Sequence, residues 1–430
     1  MPQREKRTDT VRSGSKRTAS PFVKSMATLV SGSAIAQIIT IVVSPLTTRL
    51  FGAEELGVYT LVISSVSMFG AVLSLRYDMA IVYEDDDNNI FPLVVLSTVI
   101  AGLLSLVVAV AYYFYFMYFS GSGYSPLLAS VFTFIQCFLF GLINVLNSYN
   151  NRCKEYGTMS AANVERTLAQ NIGIVVAGIL GLGSTGLVAT QSVGYLFGLR
   201  RQAISLRDEI SELKSVKRAD LHRVARKHKA QAIWSAPAAF ANGFSYSIIN
   251  YLLELMFSAT TVGYYSISVR MLGLPTNVIA ANISRVFVER AAEDRRRDGD
   301  FRNIFLKTLG AMLLCAVPLA VLLMVFAPPL FEIVFGAGWD VAGEYVRILT
   351  PMYVLRFITA SLNSSAMVAG KQQYDFVIQL LMVVCVLGAF GTASALSLGV
   401  EDLLQLINLL LCAVYVAYIL LFWKCAKSRS

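Results

Sequence analysis

Twelve long apolar runs dominate this 430-residue chain. They fall at about 26–48, 57–81, 91–118, 126–148, 162–181, 184–204, 231–256, 262–288, 304–327, 344–369, 373–397 and 401–423. About 20 apolar residues wound as a helix cross the hydrocarbon of a bilayer. Only helices and closed barrels satisfy their backbone groups there. The runs are continuous rather than alternating, so the expected fold is an all-α membrane protein. Charged residues make up 15% of the chain, against about 25% for a soluble domain. A water-facing surface of this size is therefore excluded.

The joints between runs carry breakers or charges, and the basic residues among them are unevenly placed. With the N-terminus in the cytoplasm, 32 of the 36 Lys and Arg residues fall on the cytoplasmic side. The exceptions are Arg49, Arg270, Arg347 and Arg356. The positive-inside rule then puts both termini inside and supports an even number of spans. The expected location is the cytoplasmic membrane. The opening residues are polar and basic, and the first apolar run is too long for a signal peptide. The net charge of +9 reads as a topology signal that also suits contact with anionic lipid head groups. Nucleic acid is not an expected partner.

The longest loop, 205–230, is charged and follows the sixth run. It divides the chain into a basic tail (1–25), a first lobe (26–204), a linker (205–230), a second lobe (231–423) and a C-terminal tail (424–430). "LFGAEELGVYT" at 50–60 is echoed by "MFSATTVGYYS" at 256–266, 206 positions on. Each copy is the turn between the first and second spans of a lobe. Two pseudo-symmetric six-helix lobes running parallel follow, a plan in which transporters place substrate at the repeat interface.

Several motifs reduce to structure. "GLGSTG" at 181–186 matches the glycine spacing of a dinucleotide loop but lies between two apolar helices, with no strand before it. "EDDD" at 84–87 reads as a solvated helix cap rather than a metal-nucleotide site. The sequons at Asn282 and Asn363 lie within spans. Six scattered cysteines form no CxxC pair, and the two histidines, His222 and His228, lie in the linker, so no metal site is expected. There is no GxxxxGK[ST], and no large outer loop to carry catalytic groups, so no catalytic residue is named and an enzyme is not expected.

Polar residues inside spans are costly and point to function. Asn242, Tyr246, Asn250 and Glu254 recur at i+4 on the seventh span and share one face. Ser33, Gln37, Thr40, Ser44 and Thr47 make a weaker stripe on the first span, the equivalent helix. The stripes either face a wet central cleft or bond helices to one another. Arg76, Arg270 and Arg356 also lie within spans. Guanidinium groups suit phosphate oxygens through paired donors, although ion pairs with Glu254, Glu165 or Asp375 would equally account for them. Of the carboxylates within spans, Asp78 and Glu254 are the candidates for ion coupling.

Residues 31–82, with "TRLFGAEELGVYTL" followed by "LRYDMAIV", resemble the start of the polysaccharide transporters. These are lipid-linked oligosaccharide flippases of the multidrug/oligosaccharidyl-lipid/polysaccharide exporter superfamily. Residues 335–373, "FGAGWDVAGEYVRILTPMYVLRFITASLNSSAMVAGKQQ", resemble that family's tenth-span region. The resemblance implies a V of two lobes opening alternately to each side. It implies transport of a polyprenyl-pyrophosphate-linked oligosaccharide to the outer leaflet for cell-surface polysaccharide, O-antigen or exopolysaccharide. It also implies H+ or Na+ coupling without another cofactor, and polysaccharide polymerase and glycosyltransferases as partners. Arg76, Arg270 and Arg356 would then meet the pyrophosphate, with Asn242, Tyr246, Asn250, Glu254 and Gln37 around them. The competing reading is an ion-coupled drug/cation antiporter of the same superfamily, which would need a mainly acidic cavity.

Overall fold

The computed structural model describes residues 21–369, 371 and 373–427. The basic residues of the N-terminal tail up to position 20, and the last three residues, lie outside the described residues. Helices follow in the order α1 (Pro21–Leu50), α2 (Ala53–Phe69), α3 (Tyr77–Tyr83), α4 (Ile90–Tyr118), α5 (Pro126–Arg152), α6 (Tyr156–Ile179) and α7 (Gly183–Gln202). After them come α8 (Ile210–Ser215), α9 (Arg218–Lys227), α10 (Ala236–Met256), α11 (Ala259–Pro275), α12 (Ala281–Asp298) and α13 (Arg302–Phe335). The chain ends with α14 (Asp340–Leu362), α15 (Ser365–Val368), α16 (Gln373–Leu396) and α17 (Val400–Lys427). Among the described residues there is no strand.

Twelve helical passes emerge, with α2–α3, α11–α12 and α14–α15 each counting as one. Among the described residues, seven segments are long and apolar enough to cross a membrane by length and composition alone: Ser31–Leu50, Ala53–Val72, Asp87–Tyr118, Pro126–Arg152, Arg302–Phe335, Val377–Leu396 and Val400–Lys427. The other five passes carry more polar residues than these seven, and polar residues within a span are costly against lipid.

The two halves use one packing scheme. In the first, α1 packs on α6, α6 on α7, α4 on α5, and α5 on α7 and α2. In the second, α10 packs on α16, α16 on α17, α13 on α14, and α14 on α17 and α11. Each pair has its counterpart under the sequence echo.

The echo itself forms the contact between the halves. A Cβ on Gly57 would stand 1.8 Å from the Ala259 carbonyl oxygen, and one on Gly263 would stand 1.8 Å from the Ala53 carbonyl oxygen. Ala53 and Ala259 are themselves 206 positions apart, so the start of α2 and the start of α11 cross reciprocally. Between helices in a membrane, association rests on close backbone approach and packing, which small residues permit. Leu56, Leu61, Val62, Leu253 and Val262, all buried, fill the seam around the crossing. The bundle thus has a turn end, where these helices cross, and an opposite, linker end.

The second span is not the continuous helix that 57–81 suggests. It breaks after Phe69 into a 3-10 turn at Gly70–Val72 and restarts as α3, with Leu75 and Arg76 at φ of 49° and 65°. Asn144 on α5 donates to the freed Gly70 carbonyl at 3.0 Å. The equivalent span of the second half also changes its winding 206 positions on, to a π turn at Thr276–Ala280. Interrupted helices at matching places of two repeats mark binding regions in transporters.

The linker is docked at the linker end. Val224 of α9 is buried in a cluster with Tyr77, Ile81, Leu93 and Tyr149. Beside it Glu84, whose side chain is 1% exposed, accepts from Lys227 and lies 2.6 Å from His228 Nε2. The backbone amide of Asp86 and the Asn89 side chain also donate to it. Burial alone would raise this carboxyl, but its donors prevail and hold it near pKa 2. The expected cap role within "EDDD" falls to Asp86, which accepts from the Asn88 amide at 3.1 Å.

Candidate functional site

A cavity of about 310 Å3 lies between the halves. Thr60, Ile63, Ser64 and Ser67 of α2 wall it on one side, and residues of α10, α11, α14, α16 and α17 wall it on the other. The stripe on α10 brings Tyr246 and Asn250 to it, and α11 and α14 bring Arg270 and Arg356.

Arg356 is held without an acid. Its guanidinium lies 4.8 Å over the Tyr246 ring and 5.2 Å over the Tyr353 ring, and donates to the Tyr353 hydroxyl at 3.4 Å. Pro351 interrupts the backbone ladder of α14, and Asn408 on α17 takes the Met352 amide at 3.0 Å, one turn before Arg356. A cation sandwiched by aromatic faces away from water gains about 2 kcal/mol. This orients the charge yet leaves most of its donors free. Among the described residues neither Arg356, Arg270 nor Arg76 has a carboxylate within ion-pair distance; Glu165 pairs with Arg201, and Glu254 accepts from Tyr115 and Ser120. The Asp375 side chain lies outside the described residues. Among the lining residues of this cavity there is no Asp or Glu.

Asn250 donates to Ser64 across the halves at 2.9 Å, and Tyr251 donates to the Leu61 carbonyl at 3.3 Å. Each such bond is worth about 1 kcal/mol net. The seam they close is therefore firm but not beyond what a bound cargo shifts.

The sequence-derived residues do not all gather here. Tyr246, Asn250, Arg270 and Arg356 meet in the cavity. The Asn242 side chain lies outside the described residues. Gln37 is half-buried on α1 and is not among the lining residues. The α1 stripe turns inward on its own half: Thr40 and Thr47 donate to the Ala36 and Val43 carbonyls one turn back, and Ser33 lines a space against α5–α7. Glu254 is 4% exposed and sits at the turn end rather than in the cavity. It accepts from Tyr115 of α4 and from Ser120 just beyond it. An i+4 stripe that starts in the cavity leaves it two turns later, so a shared helix face does not mean a shared site. Arg76 lines a separate space of about 400 Å3 at the break in the second span, with Asp78, which accepts from Ser74 at 2.5 Å.

Sequence reading missed Tyr353 and Tyr415. The i,i+3 spacing of Tyr353 to Arg356 carried the signal for one; Tyr415 reaches the cavity only through tertiary packing. Among the described residues no three His, Cys, Asp or Glu converge as a metal site.

The family profile described as "Polysaccharide biosynthesis protein" matches residues 48–344. No curated protein matches the sequence. Among solved structures, the fold is shared with the lipid II flippase MurJ in an inward closed conformation, at TM-score 0.72 and 14% identity over 91% of this chain and 87% of that one. It is shared with an inward-facing multidrug resistance MATE family transporter of the MOP superfamily, at TM-score 0.65 and 15% identity over 91% of this chain and 100% of the other. A MOP superfamily transporter from Pyrococcus furiosus aligns at TM-score 0.59 and 14% identity over 94% and 96% of the two chains.

Proposed function

The chain belongs to the polysaccharide biosynthesis protein family, and from that premise we propose that it is a flippase for a polyprenyl-pyrophosphate-linked oligosaccharide. It is a multi-pass membrane transporter with the MOP-superfamily fold, not an enzyme. The proposed path runs from the inner to the outer leaflet of the cytoplasmic membrane by alternating access, with polymerase and glycosyltransferase partners that use the same lipid carrier.

One observation carries the reading: Arg270 and Arg356 converge on a cavity between the halves whose lining has no acid. In a low-dielectric site unpaired guanidinium groups favour an anion strongly. A diphosphate accepts through several oxygens at once, which suits the planar fork of donors. The antiporter reading needs acids where these arginines stand. With both termini in the cytoplasm, as the Lys and Arg distribution supports, the turn end is the outer end and is shut in this structure. Asp78 and Glu254 are the proposed carboxylates for H+ or Na+ coupling.

Reconstituted vesicles test this. Labelled polyprenyl-pyrophosphate-linked oligosaccharide should change leaflet, and a cationic dye should not be carried. Arg270→Gln and Arg356→Gln should each slow flipping roughly ten- to hundredfold, the loss expected for a charged hydrogen bond worth about 1.5–3 kcal/mol. Dye transport with no lipid flipping would contradict the reading.

A further inference from the structure

The hollow does not end at the arginines of the second half. Ser67 lines both the cavity between the halves and the space beside Arg76. Asn144 and Asn147 line that space and also a third, of about 520 Å3, enclosed by α1, α5, α6 and α7. Three neighbouring spaces, each sharing wall residues with the next, therefore lie in line from Arg270 and Arg356 into the first half. The third lies within the range of about 300–1,000 Å3 typical of small-molecule sites.

Its walls differ in chemistry from those of the first. Asn144, Asn147, Asn163, Gln202 and Arg166 converge there, with no carboxylate among the lining residues. The network is partly made. Gln202 Nε2 donates to Asn147 Oδ1 at 2.9 Å, and Arg166 donates to Asn163 Oδ1 at 2.8 Å with its guanidinium 5.9 Å from the Tyr195 ring. It is also incomplete. Gln202 is 4% exposed, yet its Oε1 has no hydrogen-bond partner. Arg76 Nε is likewise buried without a partner, on a backbone with φ of 65°. Strained backbone of this kind persists where the surroundings hold it and concentrates at ligand sites. Buried polar groups are nearly always paired, so each orphan calls for a partner.

The orphans define that partner. Gln202 Oε1 accepts only, so a bare phosphate or an apolar chain leaves it unpaired. Arg76 and Arg166 only donate. A ligand that donates and accepts on neighbouring atoms satisfies both, and adjacent sugar hydroxyls do so. We propose that this space in the first half is a saccharide subsite. It rests on the flippase reading: the diphosphate lies at Arg270 and Arg356, and the glycan passes Ser67 to reach Asn163, Arg166 and Gln202.

Binding by the full-length protein in lipid nanodiscs tests this with two probes: a polyprenyl pyrophosphate, and the same lipid carrying a neutral tetrasaccharide. Wild type should bind the sugar-bearing lipid roughly tenfold more tightly. Gln202→Leu and, independently, Asn163→Leu should erase that preference and leave the affinity for the bare lipid unchanged, with thermal unfolding confirming that each folds. Arg356→Gln should weaken both probes alike. Equal binding of the two probes by wild type, or a preference that survives both leucine variants or falls together with bare-lipid affinity, overturns the saccharide subsite alone. Failure of wild type to bind either lipid, or indifference of both probes to Arg356→Gln, overturns the flippase reading beneath it.

Discussion

Glu254 stands where Thr48 stands in the first half, 206 positions earlier, and both reach into the opposite half at the turn end. Thr48 donates through Oγ1 to the Phe335 carbonyl at 3.0 Å, and its own carbonyl accepts from Trp339 Nε1 at 3.2 Å. Glu254 accepts from Tyr115 and Ser120. Each bond ends on the turn between the third and fourth spans of the other half or on the last helical turn leading into it. The pseudo-twofold axis is thus written into hydrogen bonds as well as into the glycine crossing. Its two arms differ in kind: one is neutral, and the other is a buried carboxylate.

That difference makes Glu254 the stronger and the more switchable latch. Glu254→Gln removes the charge from two hydrogen bonds, each worth about 1.5–3 kcal/mol with a charged partner. The turn end should open more often, by roughly tenfold or more. A cysteine replacing buried Ala259, in a background lacking the six native cysteines, reports the opening. Its reaction with a membrane-impermeant maleimide should speed up by that factor in Glu254→Gln. An unchanged rate would leave Glu254 as packing only.

The glycine crossing admits no side chain. Gly57→Val and Gly263→Val each place atoms against a backbone carbonyl that cannot swing aside. The expected outcome is a protein that still folds each half but cannot close the turn end, with flipping lost and maleimide access at position 259 permanently high. The two substitutions should resemble one another, because the contacts are reciprocal. Full transport in either variant would show that the crossing is not needed for closure.

Acid should release the linker. Glu84 is held near pKa 2, against 4.5 for an unconstrained carboxyl. A lowered folded-state value contributes stability above about pH 4.5, and that contribution is lost as pH falls toward 2. Glu84→Gln should therefore lower the thermal midpoint at pH 7, and the gap from wild type should shrink below pH 4.5 and vanish near 2. The basic side chains around Glu84 are Lys227, the His228 imidazole and Arg152, the last donating to the Glu84 carbonyl at 2.5 Å. A gap that stays constant with pH would contradict this account of the latch.

Helix class, the order of the passes and the repeat were legible in the sequence because apolar run length and a matched turn depend on local pattern. The cavity was legible through Arg270 and Arg356, whose placement in spans demands a reason. The break between Phe69 and Tyr77 was not legible, because no proline marks it and Asn144 supports it from another helix. The stripe on α10 draws attention to Glu254 but not to its place at the turn end, since helical periodicity gives direction around an axis and not depth along it. In sequence Arg166 is one more basic residue of the cytoplasmic joints, and only the fold brings it to Asn163 and Gln202.

Release of cargo from between the halves requires the turn end to part. Arg49 of α1 donates to the Val334 carbonyl at the end of α13 at 3.4 Å, so cysteines replacing Arg49 and Val334 can be joined by a short bis-methanethiosulfonate linker. In reconstituted vesicles, flipping of labelled lipid-linked oligosaccharide should fall in proportion to the fraction joined and return on reduction. Flipping by the joined protein at the rate of the reduced protein would contradict the account.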